Sequence, residues 1–346
     1  MKISLAAKLS YYHFRFPSYS SLYKRAAISS FIITRKLNLQ MAGSTGGDLS
    51  VLPEGCVANV LSFTGPLDVG RLSIVSSTFK SAAESDAVWE QFLPPEYHSI
   101  ISESSDSSLL ACSSSKKELY LHLCDNPVLI EDGKKSFSLD KVSGKKCYML
   151  SARDLIIVWG DNPTYWRWTS EHNSRFPEVA ELIGVCWLEI RGKINTCLLS
   201  QDTLYGAYLV YKTTPAAYVF EDQPVDVTLG LAGTEGCKRS VYILDTKREQ
   251  EQDYQQQRQQ RQIAISEVGV FGFSAMGWRA PEPTREKNKG EYPKEREDGW
   301  VEIELGEFFN NKGEEGELEM SISEVNGGDW KGGLIILGIE IRPKRG

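Results

Sequence analysis

Two periodicities divide the chain. Between Leu49 and Leu93 apolar residues recur at three- and four-residue spacing, the pattern of helices that bury one face. Pro53 suits a first helical position, where its missing N–H would go unsatisfied anyway, and Glu54 lies near the positive end of the helix dipole. Val57, Val60 and Leu61 then share a face until Gly65-Pro66 stops the run. A second helix opens near Leu67-Asp68 and carries Leu72, Val75 and Phe79, and Trp89 closes the unit. So short a unit holds little apolar surface, and a partner is expected to complete its core.

Residues 95–146 read as a linker. His98 to Ser115 is rich in Ser and acid and is expected to be a flexible spacer, and Lys116 to Val128 is expected as a short amphipathic helix with Leu119, Leu123 and His122 on one face. From Cys147 onward the period is two. Cys186, Leu188 and Ile190 alternate with Trp187, Glu189 and Arg191, and Val225, Val227, Leu229 and Leu231 with Asp226, Thr228 and Gly230. Val301, Ile303 and Leu305 alternate with Glu302 and Glu304, and Leu318, Met320 and Ile322 with Glu319, Ser321 and Ser323. These are strands with one oily and one wet face. Leu204 to Lys212 and Leu334 to Ile341 are apolar on both faces, as expected in the middle of two packed sheets. The segments and their Gly-rich breaks predict an antiparallel sandwich of jelly-roll size over residues 147–346. Lys247 to Gln262, half glutamine, and Pro281 to Asp298, charged and Pro/Gly-rich, read as solvated loop insertions, and Ile263 to Trp278 between them is left unassigned.

Composition changes the picture in three places. With 346 residues, 41% of them hydrophobic, and a net charge of -7, the chain suits one sizeable core plus a satellite and offers no basic face for nucleic acid. The seven cysteines are an odd number without any C-x-x-C pair, so they read as reduced, mostly buried thiols, with no disulfide framework and no metal site. No run of eighteen apolar residues exists to span a membrane. Residues 1–47 carry seven basic residues (Lys2, Lys8, Arg15, Lys24, Arg25, Arg35, Lys36) and no acid, a composition shared by organelle transit peptides. The other reading is a disordered or mispredicted extension, with Met41 as the working start.

Leu52-Pro53-Glu54, Val60-Leu61-Ser62, Leu67-Asp68-Val69, Leu72, Val75-Ser76, Phe79 and Trp89, in this order and spacing, resemble the F-box over residues 48–94. The resemblance implies three short helices docking on the Skp-type subunit of an SCF ubiquitin ligase, and through it a cullin, with Leu52, Pro53, Val60, Leu61, Leu72, Val75 and Phe79 as contact or core positions. Gly55 and Cys56 depart from the larger aliphatic residues usual there, and a helical glycine costs about 1 kcal/mol against alanine. A second set is similar to the phloem protein 2 family, including the jasmonate-inducible lectin nictaba. It comprises Ala152-Arg153-Asp154-Leu155, Trp159-Gly160-Asp161-Asn162-Pro163, Tyr165-Trp166-Arg167-Trp168, Val179-Ala180-Glu181-Leu182, Trp187-Leu188-Glu189-Ile190, Asp298-Gly299-Trp300, Leu305-Gly306-Glu307-Phe308-Phe309 and Ile339-Glu340-Ile341-Arg342-Pro343. That likeness implies a β-sandwich binding N-acetylglucosamine oligomers or N-glycan epitopes, with Trp159 and Trp166 required. The fold class expected is therefore α+β and multidomain, a small three-helix F-box followed by an antiparallel β-sandwich.

The sugar assignment also follows from chemistry. A pyranose has a nearly apolar C–H face that an indole can cover while its hydroxyls stay free for directed hydrogen bonds. Trp159, Trp166 and Trp168 lie close together with Asp161, Asn162, Tyr165 and Arg167, where Gly160 and Pro163 suggest a loop at the sandwich rim. Trp159 continues the alternation of Leu155 and Ile157 and suits the core as well as a sugar. Trp166 is assigned to the sugar, Trp168 fits either role, and Trp187 and Trp300 are assigned to packing. The function expected is a non-catalytic ligase adaptor, without cofactor, acting in nucleus and cytoplasm, where its partners reside. One alternative is a sandwich that reads protein surfaces without sugar. A glycan-processing enzyme is disfavoured because Glu302 and Glu304 point the same way from one strand rather than across a cleft, and no triad or P-loop spacing is present.

Overall fold

The computed structural model describes residues 52–218, 220, 223–244, 292–325 and 327–344. The N-terminal extension, the glutamine tract and the unassigned segment 263–278 lie outside them.

The helical unit consists of α1 (Glu54–Leu61), α2 (Pro66–Ser73), α3 (Ser77–Ala83) and a single turn, α4 (Asp86–Trp89). Each start is chemically marked: Pro53 precedes α1, Pro66 opens α2, and the Ser76 hydroxyl accepts from the Phe79 N–H at the head of α3. Val57, Leu61, Val69, Ala82 and Val88 bury against one another, and the Trp89 indole donates to the Ala83 carbonyl at 2.7 Å.

The expected spacer is folded instead. Tyr97–Ser102 (α5) and Leu109–Cys112 (α6) are helical and bury Tyr97, Ile101 and Leu109. The serines that suggested flexibility return their hydroxyls to their own backbone, Ser102 to His98 O and Ser104 to Ile101 O, each at 2.7 Å. Next comes α7 (Lys116–Asp125), capped by Ser115, with Leu119, Tyr120 and Leu123 buried. It packs on both units: the rings of Trp89 and Tyr120 lie 5.2 Å apart and the Tyr120 hydroxyl donates to Asp140 O; separately, the ammonium of Lys146 in the sandwich pairs with Glu96 ahead of α5 at 2.7 Å. One continuous buried core runs from Val57 to Ile341.

The sandwich begins earlier than the alternating pattern indicated. Strands β1 (Val128–Ile130) and β2 (Lys135–Leu139) form a hairpin whose turn takes Glu131, Asp132 and Gly133 through left-handed φ, and β2 pairs with β3 (Lys146–Ser151). The remaining strands are β4 (Ile156–Ile157), β5 (Trp166–Thr169), β6 (Val179–Leu182), β7 (Leu188–Asn195), β8 (Thr203–Tyr218), β9 (Val225–Leu231), β10 (Cys237–Val241), β11 (Lys294–Glu295), β12 (Val301–Asn310), β13 (Glu317–Glu324) and β14 (Gly332–Pro343). One sheet runs β1-β2-β3-β14-β8-β12-β11, with β6 attached to β14 and β5 to β6, and the other runs β10-β9-β13-β7-β4. All pairings are antiparallel, and the chain repeatedly crosses between sheets. The two strands apolar on both faces, β8 and β14, are central. At Gly338 the register shifts, and a Cβ there would stand 1.9 Å from Leu150 O, so only glycine fits.

Two expectations are corrected here. Glu302 and Glu304 do point outward from the larger sheet, but that face is covered. Arg296, at the end of the expected loop insertion, bridges Glu302 at 2.9 Å and Glu340 at 2.7 Å, Arg342 clamps the same two carboxylates, and Lys344 holds Glu304. Burial alone would push the Glu340 carboxyl up, yet Arg296, Arg175 and Arg342 hold it down at about 2. A carboxyl lowered by folding stabilises the fold above its unfolded value, near 4.5, and that contribution fades as pH falls toward 2. Urea midpoints measured from pH 5 down to pH 2.5 are expected to drop steeply, with Glu340→Gln flattening the slope by on the order of 3 kcal/mol. An unchanged slope in the variant would contradict the assignment. The second correction concerns the thiols: all seven are free, as read, but Cys56, Cys112, Cys197 and Cys237 are exposed.

Candidate functional site

The segment between β4 and β5 is a chain of tight turns. Gly160 N–H donates to Ile157 O, Asn162 N–H to Trp159 O, and Tyr165 and Trp166 N–H to Asn162 O, while the Asn162 side-chain oxygen accepts from Thr164 N–H. This winding places Trp159 in the left-handed region, at φ 59°. A bulky side chain there costs roughly 1–2 kcal/mol that glycine would avoid. Trp159 is nonetheless 44% exposed.

Its neighbours are aromatic. The Tyr165 ring lies 5.3 Å from Trp159, and Trp330 lies 6.3 Å beyond Tyr165, the successive planes tilted by 40° and 36°. Trp330, 56% exposed, is carried by the loop between β13 and β14. Tyr218 and Trp330 both lie over Gly184, where a Cβ would be 2.9 Å from the Tyr218 hydroxyl and 3.7 Å from the Trp330 ring. Ile183 is exposed beside them. Asp161 and Asn162 are exposed on the turn. The result is an open row of ring faces with a carboxylate and an amide at one end, suited to apolar sugar faces with polar edges.

The loop bearing Trp330 is anchored from below. Lys331, only 1% exposed, donates to Cys186 O at 3.0 Å and pairs with Glu324, whose other oxygen accepts from Gly327 N–H. The backbone of Lys331 also bridges Val185. One ammonium thus ties the β13–β14 loop to the segment holding Ile183 and Trp187.

The structure redistributes the predicted indoles. Trp159, Tyr165, Asp161 and Asn162 come together at the rim. Trp166 does not join them: it is 2% exposed and its indole N–H is spent on Val158 O at 3.2 Å. As the first residue of β5, opposite Leu182, it points between the layers. Trp168 is half-buried, donates to Gly160 O at 2.9 Å and has the Arg153 guanidinium 3.5 Å from its ring, so one face is already covered. Both act as struts under the turn that displays Trp159. Trp300 is core, as read, donating to Asn173 O, whereas Trp187, read as packing, is exposed. Sequence reasoning missed Trp330, Tyr218 and Ile183, although the Gly327-Gly328-Asp329-Trp330 run was a turn signal with an indole attached.

A second exposed surface lies on the helices. Ile74 is 87% and Val75 66% exposed, with Phe63 and Leu67 also exposed, Pro53 open, and Leu52, Val60, Leu72 and Phe79 half-buried beneath. Leu61 alone of the predicted positions is fully interior. Ile74, Val75 and Leu67 in so small a unit leave an apolar face exposed among the described residues.

Comparison with known proteins agrees with this division. The F-box domain matches residues 49–91 and the phloem protein 2 family matches residues 145–343. The chain is 46% identical over 295 residues to F-box protein At2g02240 of Arabidopsis thaliana, covering 85% of this chain and 80% of that one. It is 42% identical over 322 residues to F-box protein PP2-B1 of the same plant, covering 89% and 94%. Among solved structures, the CBM22-1 xylan-binding domain from Paenibacillus barcinonensis Xyn10C superimposes on 57% of this chain and 89% of its own, with 9% identity and a TM-score of 0.25. Nothing about ligands follows from a likeness of that size.

Proposed function

Because this chain belongs to the F-box proteins that carry a phloem protein 2 domain, we propose that it is a non-catalytic substrate-recognition adaptor of an SCF-type ubiquitin ligase that takes glycans or glycoproteins at its aromatic rim. The helices dock on a Skp-type subunit, and through it a cullin, by the face of Ile74, Val75 and Leu67. The rim selects N-acetylglucosamine oligomers or N-glycan epitopes, and the protein works in the nucleus and cytoplasm, where those subunits are met.

The observation that carries the glycan half is Trp159. Its backbone conformation is one in which glycine would be cheaper, and its indole lies open beside two more aromatic rings. A residue that raises the cost of the fold while displaying a ring face is kept for contact with something outside. So shallow a surface binds in the micromolar to millimolar range, about 4–8 kcal/mol.

Affinity purification of the tagged full chain from plant cells tests both halves. The wild type is expected to bring down a Skp-type subunit and a cullin, and chitooligosaccharide to release clients while the Skp-type subunit stays. The pair Ile74→Asp/Val75→Asp should lose the ligase subunits more than tenfold, since each removes about 1.5–3 kcal/mol of apolar burial and adds a charge to the interface. Trp159→Gly should do the reverse, losing glycan signal on an array and keeping the ligase subunits. A wild type that recovers no Skp-type subunit sinks the adaptor reading. A wild type silent on the array sinks the lectin reading and leaves a sandwich that recognises protein surfaces.

A further inference from the structure

The outward face of the five-stranded sheet is not flat. Along β13 the outward residues shorten from Glu317 and Glu319 to Ser321 and Ser323. Across the strands, Ile156 lies beside Arg191, Arg191 beside Ser321, Ser321 beside Thr228 and Thr228 beside Lys238. Short hydroxyl side chains on the middle strands are thus flanked by long ones on both sides. The space between them is a trough of about 430 Å³.

Trp187, 46% exposed, immediately precedes β7, next to Glu189, the first of that strand's outward residues. It is held in place rather than loosely solvated. Its indole N–H donates to one oxygen of Glu189 at 3.0 Å, and the other oxygen accepts from Arg191 at 2.8 Å. The Trp187 bond, with Arg191 behind it, keeps the Glu189 carboxyl below its ordinary range, so the clamp outlasts the pH at which an ordinary glutamate would be protonated. A fixed exposed indole loses little freedom when a ligand stacks on it.

The electrostatics narrow the ligand class. Each cation on the face has a local anion: Arg191 with Glu189, Lys193 with Glu319 and Glu317, Lys238 with Asp226. With four carboxylates against three cations, the face keeps a small negative excess that repels a polyanion and is too weak to draw a polycation. The trough itself offers a floor of hydroxyls that both donate and accept and walls of paired charges that can share further hydrogen bonds, and Trp187 adds an apolar platform just outside it, bonded to the lining residue Glu189. That set matches a neutral, hydroxyl-rich chain.

We propose that this trough is a second saccharide-binding surface, taking a segment of neutral oligosaccharide with Trp187 as stacking platform and Ser321, Ser323 and Thr228 as hydrogen-bonding floor. It deepens the lectin reading but uses none of the rim residues.

Fluorine NMR of the full chain labelled with 5-fluorotryptophan tests it, with the Trp187 resonance assigned through Trp187→Phe. The probes are hexasaccharides of N-acetylglucosamine, glucose and mannose. The Trp187 signal is expected to shift saturably with at least one of them. Ser321→Arg, which fills the trough from its solvent side, should cancel that shift and weaken binding of that hexasaccharide about tenfold, while the buried Trp166 and Trp300 signals stay where they are. A Trp187 signal unmoved by all three sugars, or a shift that survives Ser321→Arg, overturns the proposal. Movement at Trp159 and Trp330 with silence at Trp187 overturns the trough alone. Movement at Trp187 with silence at Trp159 and Trp330 overturns the rim and leaves the trough standing.

Discussion

Trp166→Ala is expected to destabilise the sandwich by about 3–5 kcal/mol, the usual range for emptying a buried large aromatic position. The side chain is enclosed by both layers, and its loss also frees Val158 O from the indole N–H. That carbonyl belongs to the residue just before Trp159, so the displayed ring loses its support and glycan binding falls with stability. Trp159→Gly separates the two effects. It removes an exposed ring from a strained backbone position, so its stability is expected to remain within about 1 kcal/mol of the parent while array signal disappears. Thermal melts and arrays on the two variants decide the matter. Were Trp166→Ala to melt like the wild type and still lose sugar, Trp166 would be a contact residue and its interior placement wrong.

Lys331→Met carries the second large effect. Methionine matches the length of the lysine stem but leaves Glu324 a buried carboxylate without its cation, and breaking such a pair from one side costs about 3–5 kcal/mol. For a sandwich of this size the melting temperature should fall by on the order of 10 °C. Lys331→Met/Glu324→Gln is expected to recover more than half of that loss, because the glutamine is neutral and its side-chain oxygen can still accept from Gly327 N–H. The recovered variant should bind rim glycans more weakly than the wild type, since the tie between the Trp330 loop and Cys186 O is gone. If the double variant is no more stable than the single one, the pair is not the anchor described.

Much of this architecture was legible in the order of residues. Alternation along β7, β9 and β13 announced which side faces inward, and residues apolar on both sides marked β8 and β14 as central. The failures have physical causes. Serine-rich sequence suggested a spacer at 98–115, but serine can close its hydrogen bonds within a short helix, and the buried Tyr97, Ile101 and Leu109 sufficed to anchor it. Glu302 looked wet because alternation cannot reveal that Arg296 and Arg342 fold over the outer face. The three indoles of the β4–β5 segment could not be sorted by neighbourhood, since a tight turn reverses which side of the chain each occupies. Trp166 enters the interior, Trp168 is covered by Arg153, and Trp159 is thrown outward by its left-handed backbone. Trp330 reaches the rim only through the β13–β14 connection, a long-range proximity that no local pattern encodes.

The α7 bracket, gripping Trp89 on one side and β2 on the other, has a consequence for ubiquitin transfer. On the adaptor function proposed above, a client-holding sandwich packed through α7 onto a ligase-holding helical unit has no swivel. A captured glycoprotein would meet the conjugating enzyme from a single approach angle, so its lysines would be chosen by their bearing from the sugar they share a surface with, and moving the glycosylation site around that client should move the ubiquitin with it.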